Sequence, residues 1–94
     1  MHKIDRHTQD RKSPHYKIWR RAVLKRDKHI CQMPGCKKKN TLQVHHIMRY
    51  SDAPLMRYLI SNGITLCYAH HKQVNKNECF YILLFTRIVQ GKKK

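Results

Sequence analysis

The sequence predicts a small α+β domain in which two short strands and their long connection sit between flanking helices, the whole stapled by a metal. Three observations predict it. The chain has 94 residues, so a single domain is expected, over residues 13–94, and one this small gains from a structural staple. Its four cysteines have histidines beside them in a spacing that suits metal better than disulfides. Finally, apolar residues recur with a helical period in some stretches and alternate in others.

Residues 1–12 are polar and charged, with no apolar period, and are expected to form a flexible basic arm. Ser13-Pro14 reads as a helix start, a serine N-cap followed by proline in the first turn. The helix is expected to run to about Arg26, with Trp19 and Val23 on its inner face, Ile18 and Ala22 beside them and Leu24 near its end. Trp19 reads as a core anchor. Arg20, Arg21, Lys25 and Arg26 read as solvated surface, with one or two on phosphate.

Cys31-Gln32-Met33-Pro34-Gly35-Cys36 is a turn closed by two thiols, with Pro34-Gly35 supplying the bend. Thr41 to His46 reads as a strand with Leu42 and Val44 on one face. A long connection, Ile47 to Ser61, follows, with a short helical turn over Ala53 to Leu59. Asn62-Gly63 is read as the turn into a second strand, Ile64 to Leu66. A helix begins at about Tyr68 and carries His70, His71 and Asn75. Another, about Asn77 to Gln90, is apolar around much of its circumference, and Gly91 is its stop. Part of that helix is expected to pack on Trp19 and the strands. The rest is broad enough to serve a protein partner or a dimer. Cys79 reads as a buried thiol within it.

Charge bounds the function. Lys and Arg number 21 against 5 Asp and Glu, a formal +16, and a chain this basic expects a polyanion, nucleic acid above all. The positive charge is spread over Lys3 to Lys28, Lys37 to Lys39 and Lys92 to Lys94, as neutralising successive phosphates requires. No apolar run is long enough to span a bilayer and no export signal opens the chain. The expectation is a cytoplasmic, non-secreted protein without a membrane role.

Zinc takes four soft ligands in a tetrahedron. Cys31 and Cys36 supply one pair. Cys67 and His70, with two residues between them at a strand-to-helix junction, supply the other. His71 is the rival for the fourth position and His29 a weaker one.

The order His45-His46, then Asn62, then His71 with eight residues between, and Cys31, Cys36, Cys67 and His70 around it, resembles the HNH endonucleases, in particular the small zinc-containing enzymes of many phages. The resemblance covers about residues 17–80. It implies a ββα-metal (His-Me finger, treble-clef-like) core on a structural zinc, in a bacterial or phage-infected cell. It also implies a metal-dependent DNase acting on double-stranded DNA, most simply by nicking. His45 and His71 would hold the catalytic divalent ion, Mg²⁺ or Mn²⁺ with Ni²⁺ as a third option, and His46 would activate water. Asn62 would tie the loop and orient His46. Histidine at 70 replaces the cysteine that many relatives carry. Asn75 stands where colicin-type relatives place a further histidine, and is read as a weaker ligand or a phosphate contact. Arg49, Arg57 and Lys72 are the candidates for clamping the phosphate. Adjacent residues on a regular strand face opposite ways, so His45 and His46 cannot both serve one ion. The alternative, from another class, is a zinc-stabilised nucleic-acid-binding module without chemistry.

Overall fold

The computed structural model describes residues 13–49 and 53–92; the basic arm expected at 1–12 lies outside them. Helix α1 spans Pro14–Arg26, strand β1 Leu42–His46, strand β2 Gly63–Cys67, helix α2 Tyr68–Asn75 and helix α3 Glu78–Gln90. Among the described residues the fold is therefore small α+β: three helices around a two-stranded antiparallel sheet.

Each boundary has a local cause. The Ser13 hydroxyl accepts the Tyr16 amide at 3.1 Å, and Pro14 occupies the first turn of α1, which satisfies one orphan donor and omits another. Gly35 sits at φ +85°, where glycine is unstrained, and lets the Cys36 amide close on the Met33 carbonyl at 2.9 Å. The connection between the strands contains two single-turn 3₁₀ segments, Pro54–Met56 and Ile60–Asn62.

The strand register pairs His45 with Ile64 and His46 with Gly63, and side chains alternate between the sheet's faces. One face, with Val44, meets Trp19, Val23 and Leu24 of α1. The other, with Ile64 and Leu66, packs against Val74 of α2 and Phe85 and Val89 of α3. Two small cores thus lie on opposite sides of one ribbon.

The outer side of β2 is occupied by polar partners. Asp27, fully buried just past α1, accepts the Thr65 amide at 2.9 Å and holds Arg26 through two bonds of 2.9 Å. Arg26 also donates to the carbonyls of Ile60 and Gly63, at 2.8 and 2.7 Å. The Thr65 carbonyl accepts the Gln32 amide at 2.9 Å.

Several expectations are corrected. Asn62-Gly63 is not itself a hairpin turn: Asn62 ends a 3₁₀ segment and Gly63 is extended, at φ −123° and ψ 150°. Gly63 is needed for a close approach, because a Cβ there would lie 2.7 Å from Trp19 Cζ2 and 2.6 Å from Val23 Cγ2. Helix α3 packs on the face of the sheet away from Trp19, because its inner residues Phe85 and Val89 follow α2 across the ribbon. Ile18 is 62% exposed, since Trp19 and Val23 define a narrower inner stripe than was read. Cys79 is exposed, one residue into α3 on its outer side. Arg26 is a structural clamp on β2, where a solvated or phosphate-binding residue was expected.

Candidate functional site

Cys31 precedes the Pro34-Gly35 bend, Cys36 closes it, Cys67 ends β2 and His70 lies in the first turn of α2. Their four ligand atoms lie within 4.8 Å of one another. His70 Nδ1 is 3.3 Å from Cys67 Sγ and 3.6 Å from Cys31 Sγ. Zinc–sulfur and zinc–nitrogen bonds of about 2.3 and 2.0 Å at tetrahedral angles separate S and N by about 3.5 Å. The donor set could hold a zinc ion, with His70 as the fourth member of the group; His29 and His71 are not part of it. Burial pushes the Cys31 thiol up to about 11, and bonds with the thiols of Cys36 and Cys67 add to the rise. Burial also acts on Cys67, but the amides of His70 and Ala69 and the neighbouring thiols outweigh it and lower that thiol. Thiols this close cannot all ionise without a cation between them, and a divalent metal supplies one.

The histidine pair is divided by the sheet. His45 turns to the α2–α3 side. Its ring meets His71 edge-on at a centroid separation of 5.7 Å and Phe85 at 5.9 Å. Burial, then the nearby His71 and His46, lower His45 to about 4, so it is a neutral imidazole at pH 7, the form that binds metals. Two imidazoles on one ion, with metal–nitrogen bonds of about 2.1 Å, have centroids no more than about 6.5 Å apart. The His45–His71 separation falls inside that limit. Among the described residues, only the cysteine–histidine group brings three or more metal-binding side chains together. Asn75, exposed and one turn beyond His71, is on the same helix face.

His46 turns to the α1 side. Its ring stacks on Trp19 at 4.2 Å and 14°, and its Nε2 lies 3.0 Å from the Arg57 carbonyl. Asn62 is buried and ties the connection through three side-chain bonds to two residues: Oδ1 accepts the Met48 amide at 2.8 Å, and Nδ2 donates to the carbonyls of Met48 and Met56, each at 3.2 Å. It thus braces the loop, as expected. The His46 ring itself meets Trp19 and the Arg57 carbonyl, and Asn62 bonds the backbone on both sides of it, at Ile47 and Met48 and at Met56 beside Arg57.

The three basic candidates meet different partners. Arg49 pairs with Glu78 at 3.6 Å. Arg57 is half-buried and offers its carbonyl to His46. Lys72 is exposed, its ammonium 5.9 Å from the centre of the Tyr68 ring.

Sequence reasoning missed two residues that shape this region. Trp19 was read as core, without its contact to His46. Asp27 was not singled out, although an acidic residue at a helix C-terminus opposes the helix dipole, a sign that it has another task. No family model matches the chain, and neither a curated protein nor a solved structure does.

Proposed function

We propose that this chain is a metal-dependent endonuclease of the HNH type, built on a ββα-metal core, that hydrolyses phosphodiester bonds in double-stranded DNA. The observation that carries the proposal is the 3.0 Å contact between His46 Nε2 and the Arg57 carbonyl. A carbonyl only accepts hydrogen bonds. The neutral ring would then carry its proton on Nε2, leaving Nδ1 as the nitrogen that could take a proton from water.

In this reading His46 Nδ1 takes a proton from a water whose oxygen attacks phosphorus. The bond to the 3′ oxygen breaks, and that oxygen takes a proton from solvent, leaving 5′-phosphate and 3′-hydroxyl ends. His45 and His71 would hold a divalent ion, and Asn75 and water could complete its ligands. That ion, Mg²⁺, Mn²⁺ or Ni²⁺, supplies charge neutralisation at the phosphoryl oxygens and the departing oxygen. Zinc on Cys31, Cys36, Cys67 and His70 fixes the junction that aims His71. Asn62 holds the loop that presents the Arg57 carbonyl. Arg49, Arg57 and Lys72, with the charge of the whole chain, draw the DNA backbone.

One observation favours the second reading, a zinc-stabilised module that binds nucleic acid without cutting it. His46 is stacked on Trp19, as a purely structural histidine could be. The test is nicking of supercoiled plasmid by the zinc-loaded protein with Mg²⁺, Mn²⁺ or Ni²⁺, beside an EDTA control and His46→Gln, which keeps bulk beside Trp19 where alanine would leave a gap. Metal-dependent open circles that form at least about a hundred-fold more slowly in the variant, at unchanged zinc content and helicity, support the nuclease. DNA binding without cleavage by the wild type favours the module.

A further inference from the structure

The contacts around His46 reach beyond the strands to α1. Trp19 is buried, and its indole ring lies flat against the His46 imidazole, with centroids 4.2 Å apart and planes 14° from parallel. Its Nε1 donates to the Leu59 carbonyl at 2.8 Å, forty residues away in sequence. Leu59 stands two residues after Arg57, whose carbonyl meets His46 Nε2 at 3.0 Å. One side chain thus touches the imidazole on its face and fastens the segment that touches it at its edge. The approach depends on Gly63, opposite His46 in the register, where a Cβ would lie 2.7 Å from Trp19 Cζ2.

We propose that Trp19 is a positioning residue for His46, setting the plane of the ring by stacking and its tautomer by holding the Arg57 segment through the bond to Leu59. The proposal rests on the reading of His46 as the general base. A buried indole N–H needs a partner, and many carbonyls could serve. That it takes one beside the carbonyl bonded to His46 gives the indole its second grip on the base. Helix α1 is then part of the catalytic apparatus as well as a flank of the strand–strand–helix unit.

The test uses the full zinc-loaded chain, ¹⁵N-labelled at histidine. Long-range ¹H–¹⁵N spectra at about pH 8, above the ordinary histidine range, report which ring nitrogen carries the proton. The wild type is expected to show His46 with its proton on Nε2. Trp19→Phe keeps an aromatic face and loses the N–H. It is expected to mix the two tautomers and to lower plasmid-nicking kcat about ten-fold, a fraction of what a general base contributes, with KM little changed. In a His46→Gln background the same substitution should cost no further rate, because the two residues act as a unit. Should Trp19→Phe lose zinc or helicity, benzothienylalanine at position 19 replaces it, keeping the indole shape without the N–H.

A wild-type proton on Nδ1, or a tautomer unmoved by both replacements, overturns the proposal. So does an equal loss of rate in both backgrounds, which would make Trp19 a core residue only. If the wild type does not cut DNA, the nuclease reading fails, and with it any catalytic positioning. The tautomer spectra then still report whether Trp19 fixes the ring.

Discussion

Replacing Gly63 with alanine sets two effects against each other. Gly63 is extended, at φ −123° and ψ 150°, a conformation alanine adopts freely. On backbone grounds the substitution should stabilise by about 0.4–1 kcal/mol, through the entropy removed from the unfolded chain. The new methyl, however, would lie 2.6 Å from Val23 Cγ2 and 2.7 Å from Trp19 Cζ2, where ordinary contact begins at 3.4 Å. Val23 and Trp19 are both buried, so neither can swing into solvent, and relief requires moving α1 off the sheet. Overpacking of this kind costs about 1–3 kcal/mol, and two clashes against buried partners place it toward the upper end. The net expectation is a loss of about 2 kcal/mol, which for a domain of this size lowers Tm by roughly 10 °C. Thermal unfolding of the zinc-loaded protein, followed by circular dichroism at fixed zinc concentration, measures it. A Tm equal to or above that of the wild type would refute the reasoning and show that α1 can retreat at little cost.

Removing zinc with a strong chelator, or replacing Cys36 with serine, is expected to abolish cooperative folding. The wild type should bind one equivalent of zinc tightly, read by metal analysis beside circular dichroism. Asp27→Ala should cost about 3 kcal/mol in denaturant unfolding, because it strips a buried partner from both the Arg26 guanidinium and the Thr65 amide. With no divalent ion other than zinc added, the His45 ring should titrate near 4 by NMR, well below 6.5. Since the unfolded chain then binds the proton more readily, this histidine's contribution to stability is full above about pH 6.5. It is lost as pH falls toward 4, by roughly 3 kcal/mol in all, and His45→Gln should remove that part of the pH dependence.

Much of the element order was legible because the sequence marks its own boundaries. Ser13-Pro14 starts α1, Pro34-Gly35 bends the thiol turn, and the junction at Cys67 begins α2 with His70 in its first turn. The metal-binding group was legible for the same reason: its pairs are short-range in sequence, and only the meeting of the two pairs is tertiary. What was hidden depended on long-range packing. Nothing local says that Asn62-Gly63 ends a 3₁₀ segment, since the same two residues form tight turns elsewhere; the indole pressed against Gly63 decides. Period alone likewise could not assign α3 to one face of the sheet, because its apolar residues surround most of the helix. The division of His45 from His46 was visible in strand alternation, whereas the partners each one meets were not.

The polar bonds along the outer side of β2 have a consequence for association. A two-stranded ribbon is all edge, and an unpaired edge invites a strand from another molecule. On β2 the outward groups at Thr65 and Gly63 are already taken: the Thr65 amide by Asp27, its carbonyl by Gln32, and the Gly63 carbonyl by Arg26. An incoming strand would have to displace a carboxylate and a guanidinium that are bonded to each other. The end of α1 therefore acts as a stopper against sheet extension, keeping a ribbon of minimal width from growing into a fibre.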